Sequence, residues 1–317
     1  KLAGYLKSVG LQFHPFDKLE ASADPRLHSY KIDHEAAEIA WAGDDCLLVG
    51  KSGSGRTTIA EGLLYKCRVG TDRSDIFPIC LREGDLTSDS IQDQAVRAAA
   101  VETLLELAYG PCKFEDLGPE HKTDLVAAIE SAAPGILNQF LPQILKAGSH
   151  LPVAKFADQP AESLTIPSNQ ERVRKVARQM RELNQLDNLT AKSSSFIFDI
   201  VPAILGLTEI KLIADFSEVP DPKQLAELDN LRDRLSQRSG VSKVILAPAE
   251  RKSGGQEAEL INWYSDQLIN VLNSRLKTAS GGNFDSFDAI SDPGLKDVEE
   301  QIVEEAAVHG HRTPRVV

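Results

Sequence analysis

Cysteine is scarce in this chain and scattered: four residues in 317, at Cys46, Cys67, Cys80 and Cys112. There is no CxxC pair and no Cys/His group at zinc-ligand spacing, which argues against a disulfide scaffold or a zinc module. Such usage suits a reducing cytosol, so a cytoplasmic protein is expected. Long apolar runs are also missing. The longest, Phe196 to Leu207, contains Asp199 and is too short to cross a bilayer, so no membrane contact is expected. Positive charge is in deficit, with 35 Lys and Arg against 47 Asp and Glu and a formal charge of −12. That balance disfavours wholesale binding of nucleic acid. What is present is ordinary for a globular protein: 42% hydrophobic and 26% charged residues exclude general disorder.

The most informative stretch runs from Cys46 to Thr58. Cys46 to Val49 is apolar and reads as a buried parallel strand. A glycine-rich turn follows, Gly50-Lys51-Ser52-Gly53-Ser54-Gly55-Arg56-Thr57-Thr58. Thr57 to Lys66 then carries Ile59, Leu63 and Leu64 at helical spacing. Strand, glycine turn and helix form the context of a phosphate-binding loop. Glycines let successive backbone N–H groups turn inward, and the helix start adds its positive dipole end. The Thr57 hydroxyl is a candidate Mg²⁺ ligand. One position departs from G-x-x-x-x-G-K-[ST]: Arg56 stands where the motif has Lys. A forked guanidinium is not equivalent to a compact ammonium, so Arg56 is a candidate catalytic residue whose chemistry differs from the motif's.

A phosphate loop needs an apolar strand ending in an acid. Ile210 to Asp215, followed by Phe216-Ser217-Glu218, supplies one. Asp215 is the second candidate Mg²⁺ ligand, directly or through water. Glu218 is the candidate base that polarises an attacking water.

Around these motifs the pattern alternates. Residues 1–34 read as an irregular N-terminal segment, Glu35 to Trp41 as a helix, and Ile76 to Leu81 as a strand in which Pro78 points to an edge or irregular position. Ile91 to Tyr109 reads as a long helix. Residues 111–193 read as a helical insertion, including Lys122 to Ala133, Gly135 to Lys146 and Glu171 to Leu186. Pro222 to Arg238 is a predicted helix, Val241 to Leu246 a strand, and Glu257 to Lys277 and Leu295 to Val308 helices. Strands alternating with helices imply an α/β fold with a parallel sheet flanked by helices, whose ligands bind at the carboxyl ends of the strands. The predicted division is a core over 35–250 and a helical lid over 251–317. The chain begins with Lys1, and neither end carries a domain-closing signal, which reads as one module of a longer protein.

The loop at Gly50 and the acidic strand at Asp215 together resemble the additional-strand P-loop NTPases, and within them the AAA-related STAND ATPases and their initiator-like relatives. Asp215-Phe216-Ser217-Glu218 is similar to the acidic ending of the Walker B strand. The string Thr313-Pro314-Arg315 resembles the turn of the family's helical lid, whose arginine reaches the γ-phosphate; that role would fall to Arg315. The resemblance implies ATP or ADP with Mg²⁺ as cofactors. It also implies nucleotide-dependent self-association and fused effector or sensor domains. Three departures bear on hydrolysis more than on binding: Arg56 in the Walker A lysine position, Phe216 directly after the acid, and Ala247-Pro248 where a sensor Asn or Thr is common. They make a pseudo-ATPase interaction scaffold the alternative to a working switch. The loop is also similar to that of immunity-associated septin-like GTPases, but no N/T-K-x-D guanine motif accompanies it.

Two further groups stand out. Arg174, Arg178 and Arg181 fall near one helical face, the only feature pointing to a nucleic-acid-dependent ATPase, and a solvated face is the simpler reading. Residues 285–305 hold eight acids against Lys296 alone, which reads as a solvated acidic face.

Overall fold

The computed structural model describes residues 2–16, 27, 34–69, 75–82, 90–110, 112–138, 167–186, 192–237, 239–249, 258–291, 294–308 and 313–314. In chain order the described α-helices are α1 (Leu2–Ser8), α2 (Glu35–Trp41), α3 (Arg56–Val69), α4 (Ile91–Tyr109), α5 (Pro119–Ala132), α6 (Pro167–Leu186), α7 (Ile197–Leu205), α8 (Pro222–Leu235), α9 (Ser265–Ala279) and α10 (Val298–Val308). The strands are β1 (Cys46–Gly50), β2 (Ile76–Arg82), β3 (Glu209–Asp215), β4 (Gly240–Pro248) and β5 (Ala258–Leu260). They form one parallel sheet in the order β2-β3-β4-β1-β5. β4 therefore lies between the strand that feeds the glycine loop and the strand that ends in Asp215. Pro78 falls on β2, an edge strand, where one missing N–H is tolerated.

Side chains alternate across the sheet with period two. Leu47, Phe77, Ile79, Leu212 and Ile245 face one side, where α4 lies on β2, α8 packs beside it, and α5, α6 and α7 gather around α4. The opposite face presents Leu48, Ile213, Val244 and Leu246 to α2 and α3. The residues read as an insertion are integral to the first layer. Leu125 and Ile129 of α5 and Val173 and Met180 of α6 share one core with the strands. At roughly 1.5–3 kcal/mol for each large apolar side chain buried, this layer is a main source of the sheet's stability.

Some expectations need correction. Glu257 to Lys277 is not one helix: Ala258–Leu260 pairs with β1 as β5, and α9 begins only at Ser265. Pairing with a central parallel strand overrides the helical pattern there. The N-terminal segment is not wholly irregular, because Leu2–Ser8 is helical. Leu6, Leu11 and Phe13 pack with Leu276, Phe284 and Phe287, so this segment rests on the C-terminal helices. α10 starts at Val298, after Asp288 accepts the Val298 N–H at 2.9 Å. Within the acidic stretch, Glu299 is buried and accepts from Ser286 Oγ at 2.7 Å, while its other described acids are exposed. Of the predicted helix from Gly135 to Lys146, residues 139–146 lie outside the described residues, as do Arg238 and Arg315. Among the described residues, no helix is long and apolar enough to cross a membrane.

Candidate functional site

Residues 51–55 connect β1 to α3 at the carboxyl edge of the sheet. Gly53 (φ 81°) and Gly55 (φ 90°) hold left-handed backbone that other residues enter only at a cost. Gly50 is required for a different reason: a Cβ there would lie 2.2 Å from Ser54 Oγ. Ser54 is folded inward and buried. Its N–H donates to Lys51 O at 3.0 Å, and its hydroxyl has no hydrogen-bond partner among the described residues. Lys51 and Ser52 are exposed, and Thr58 is half-buried.

The start of α3 is left open. α8 is closed by a capping box between Asp221 and Gln224, whereas the first turn of α3 has no acid. The Gly55 and Thr57 N–H groups donate to nothing among the described residues. A helix start with inward-turned glycines and no acidic cap favours an anion.

The acidic strand meets this loop. Thr57 Oγ1 donates to Asp215 Oδ2 at 2.9 Å, and Arg56 Nη1 donates to the Phe216 carbonyl at 2.6 Å. Phe216 is buried and its N–H is held by Leu246 O at 2.9 Å, so the strand end is pinned on both sides. Burial pushes the Asp215 carboxyl above the usual carboxylate range. The Thr57 hydroxyl and the charges of Arg56 and Arg82 oppose that push, and Glu61 adds to it. Glu218 stands three residues further on, exposed, with no hydrogen-bond or ionic partner among the described residues.

A second rung runs parallel to the first. Glu61 lies one helical turn after Thr57, on the same face of α3, and Arg82 is the register partner of Asp215 on β2. Arg82 Nη2 donates to Glu61 Oε1 at 2.5 Å, with the Glu61 carboxylate almost fully buried. Sequence reasoning missed this pair because it needs the β2–β3 register, which no local pattern encodes. Trp263 falls within the helix that the sequence pattern predicts from Glu257 to Lys277. It stands instead in the extended segment between β5 and α9, and its Nε1–H donates to Ser54 O at 2.7 Å. Its ring lies 4.7 Å from that of His34. His34 caps α2 by accepting the Ala36 N–H at 3.0 Å on Nδ1, and its Nε2 meets Asn262 O at 2.8 Å. A carbonyl accepts only, so the proton sits on Nε2.

The arrangement thus joins Gly50 to Thr58 with Asp215 and Phe216, while Glu218 stands outside the contact network. Among the described residues, no group of three or more His, Cys, Asp or Glu is placed to hold a metal ion. Thr57 and Asp215 supply two oxygens, which fits Mg²⁺ completed by phosphate oxygens and water, and does not fit an all-protein cage. The basic cluster is solvated: Arg174 and Arg178 both lie 3.6 Å from Glu171, and Arg181 donates to Asn138. No protein-family model matches the chain, nor does any curated protein or solved structure.

Proposed function

We propose that the chain is an ATP-binding switch module of the additional-strand P-loop type, in which nucleotide state controls assembly or an attached effector. One observation carries this reading. The Thr57 hydroxyl and the Asp215 carboxylate, 158 residues apart in the chain, lie within one hydrogen bond of each other beside an inward-turned glycine loop. The strand order, with β4 between β1 and β3, supports it further. In this reading the loop amides and Arg56 hold the phosphates, and Thr57 and Asp215 hold Mg²⁺, which neutralises phosphate charge when bound. Glu218 orients a water for attack, and Arg315 closes from a helical lid. Titration calorimetry with ATP, ADP and GTP, with and without Mg²⁺, is the test. Binding of ATP and ADP in preference to GTP is expected; binding of none of the three ends the proposal.

A second reading, an interaction scaffold without turnover, is favoured by one contact. Arg56 is held by the Phe216 carbonyl, so its guanidinium must leave or share that bond to follow a phosphoryl group in transfer. Steady-state phosphate release separates the two readings. Turnover by the unmodified chain eliminates the scaffold, and turnover gained only in Arg56→Lys establishes it.

A further inference from the structure

We propose that Trp263 is a positioning residue for the phosphate loop, which it reaches from the far end of the chain. The inference rests on the nucleotide-binding reading above and names a residue outside the loop motif. Trp263 Nε1–H holds the Ser54 carbonyl at 2.7 Å, across a sequence separation of 209 residues. In a trans peptide the carbonyl and the following N–H point in opposite directions. The chain has no cis peptide among its described residues, so holding the Ser54 carbonyl outward turns the Gly55 N–H inward. That N–H is one of the loop donors with no partner among the described residues.

The indole is itself fixed. On one side is the His34 ring. The segment before it is bonded by Ile261 N–H to Val49 O at 2.8 Å and by Asn262 O to His34 at 2.8 Å. The ring also lies beside Gly55, with Cζ2 at ordinary van der Waals distance, 3.6 Å, from where a Cβ on that glycine would sit. The ring also packs into the cluster of Leu268, Leu272 and Val303, which belong to α9 and α10. The orientation of a loop amide is therefore set from the root of the C-terminal helices. A ligand that recruits the Gly55 N–H bears on those helices through a single hydrogen bond. The ligand class is an oligophosphate, because the group being aimed is an anion donor.

The test compares the unmodified protein with Trp263→Phe, and with a protein carrying benzothienylalanine at position 263, which keeps the bicyclic ring and replaces N–H by sulfur. Tripolyphosphate and ADP are titrated by calorimetry, and melting temperatures are recorded without ligand; Trp41→Phe is the control. Loss of one neutral hydrogen bond predicts roughly 3- to 10-fold weaker binding of both ligands in both variants. The melting temperature of the benzothienyl protein falls by no more than about 2–4 °C, the range that loss of one hydrogen bond allows. Unchanged affinity in the benzothienyl protein overturns the inference. So does weakening for ADP alone, which places the effect on the nucleoside. Absence of binding by the unmodified protein overturns the nucleotide-binding reading itself.

Discussion

Arg56 and Arg68 stand on the same helix, about three turns apart, and are used in opposite ways. Arg68 is buried and meets Glu102 of α4 through two bonds, Nε to Oε1 at 3.0 Å and Nη2 to Oε2 at 2.5 Å. Arg56 is partly exposed and donates to a neutral carbonyl. The far end of α3 is closed electrostatically and ties the two helical layers together. Its near end is open, with unused amides and a guanidinium on a backbone oxygen. A helix can thus anchor through a buried ion pair at one end and offer open backbone amides at the other.

The largest expected effect breaks the closed end. Glu102→Ala leaves a buried guanidinium without its counter-charge and should cost about 3–5 kcal/mol in denaturant unfolding. A cost below 1 kcal/mol shows that the pair is not what joins the layers. Next comes the open end: Gly50→Ala drives a Cβ into Ser54 Oγ and should cost about 1–3 kcal/mol. Tripolyphosphate binding should disappear with it, and survival of binding means that Ser54 can turn outward freely.

Asp215→Asn should act in the opposite direction. A carboxyl whose folded-state pKa lies above its unfolded value binds its proton more tightly in the folded state. Stability then falls as pH rises through the unfolded and then the folded pKa, so ionised Asp215 is a burden near neutrality. The ligand-free Asn variant should melt higher than the unmodified protein at pH 7, the gap closing toward about pH 4, and it should lose the Mg²⁺ dependence of nucleotide binding. A variant that melts lower at pH 7 contradicts this sign. The smallest effect belongs to Glu218→Gln, at an exposed side chain with no partner among the described residues: within about 0.5 kcal/mol in stability, with any phosphate release abolished. Undiminished release removes Glu218 from the reaction.

What could be read in advance follows from range. β1, α3, β3 and α4 carry their period, caps and breakers locally, and α4 spans Ile91–Tyr109 as its pattern predicts. The loop was legible because its glycines answer to local backbone needs at Gly53 and Gly55. β5 was not, because a three-residue strand has no period and exists only through pairing with β1. Glu61–Arg82 and Trp263–Ser54 were hidden for the same reason, each joining segments whose adjacency depends on sheet order. The charge deficit of the whole chain also concealed that Arg56 and Arg82 both lie near Asp215 and favour its ionised form.

The separation of Trp263 from Ser54 also orders events during synthesis. With 209 residues between them, and about 5–20 residues added per second, some 10–40 s pass between the emergence of the glycine loop and that of the indole that holds it. Asp215 arrives earlier, yet still 158 residues after Thr57. A nascent chain therefore displays its glycine loop long before the loop has either support. On the proposed reading, nucleotide capture draws on the finished fold, and a chain truncated before β5 should still pair β1 with β4 but bind tripolyphosphate more weakly than the whole chain.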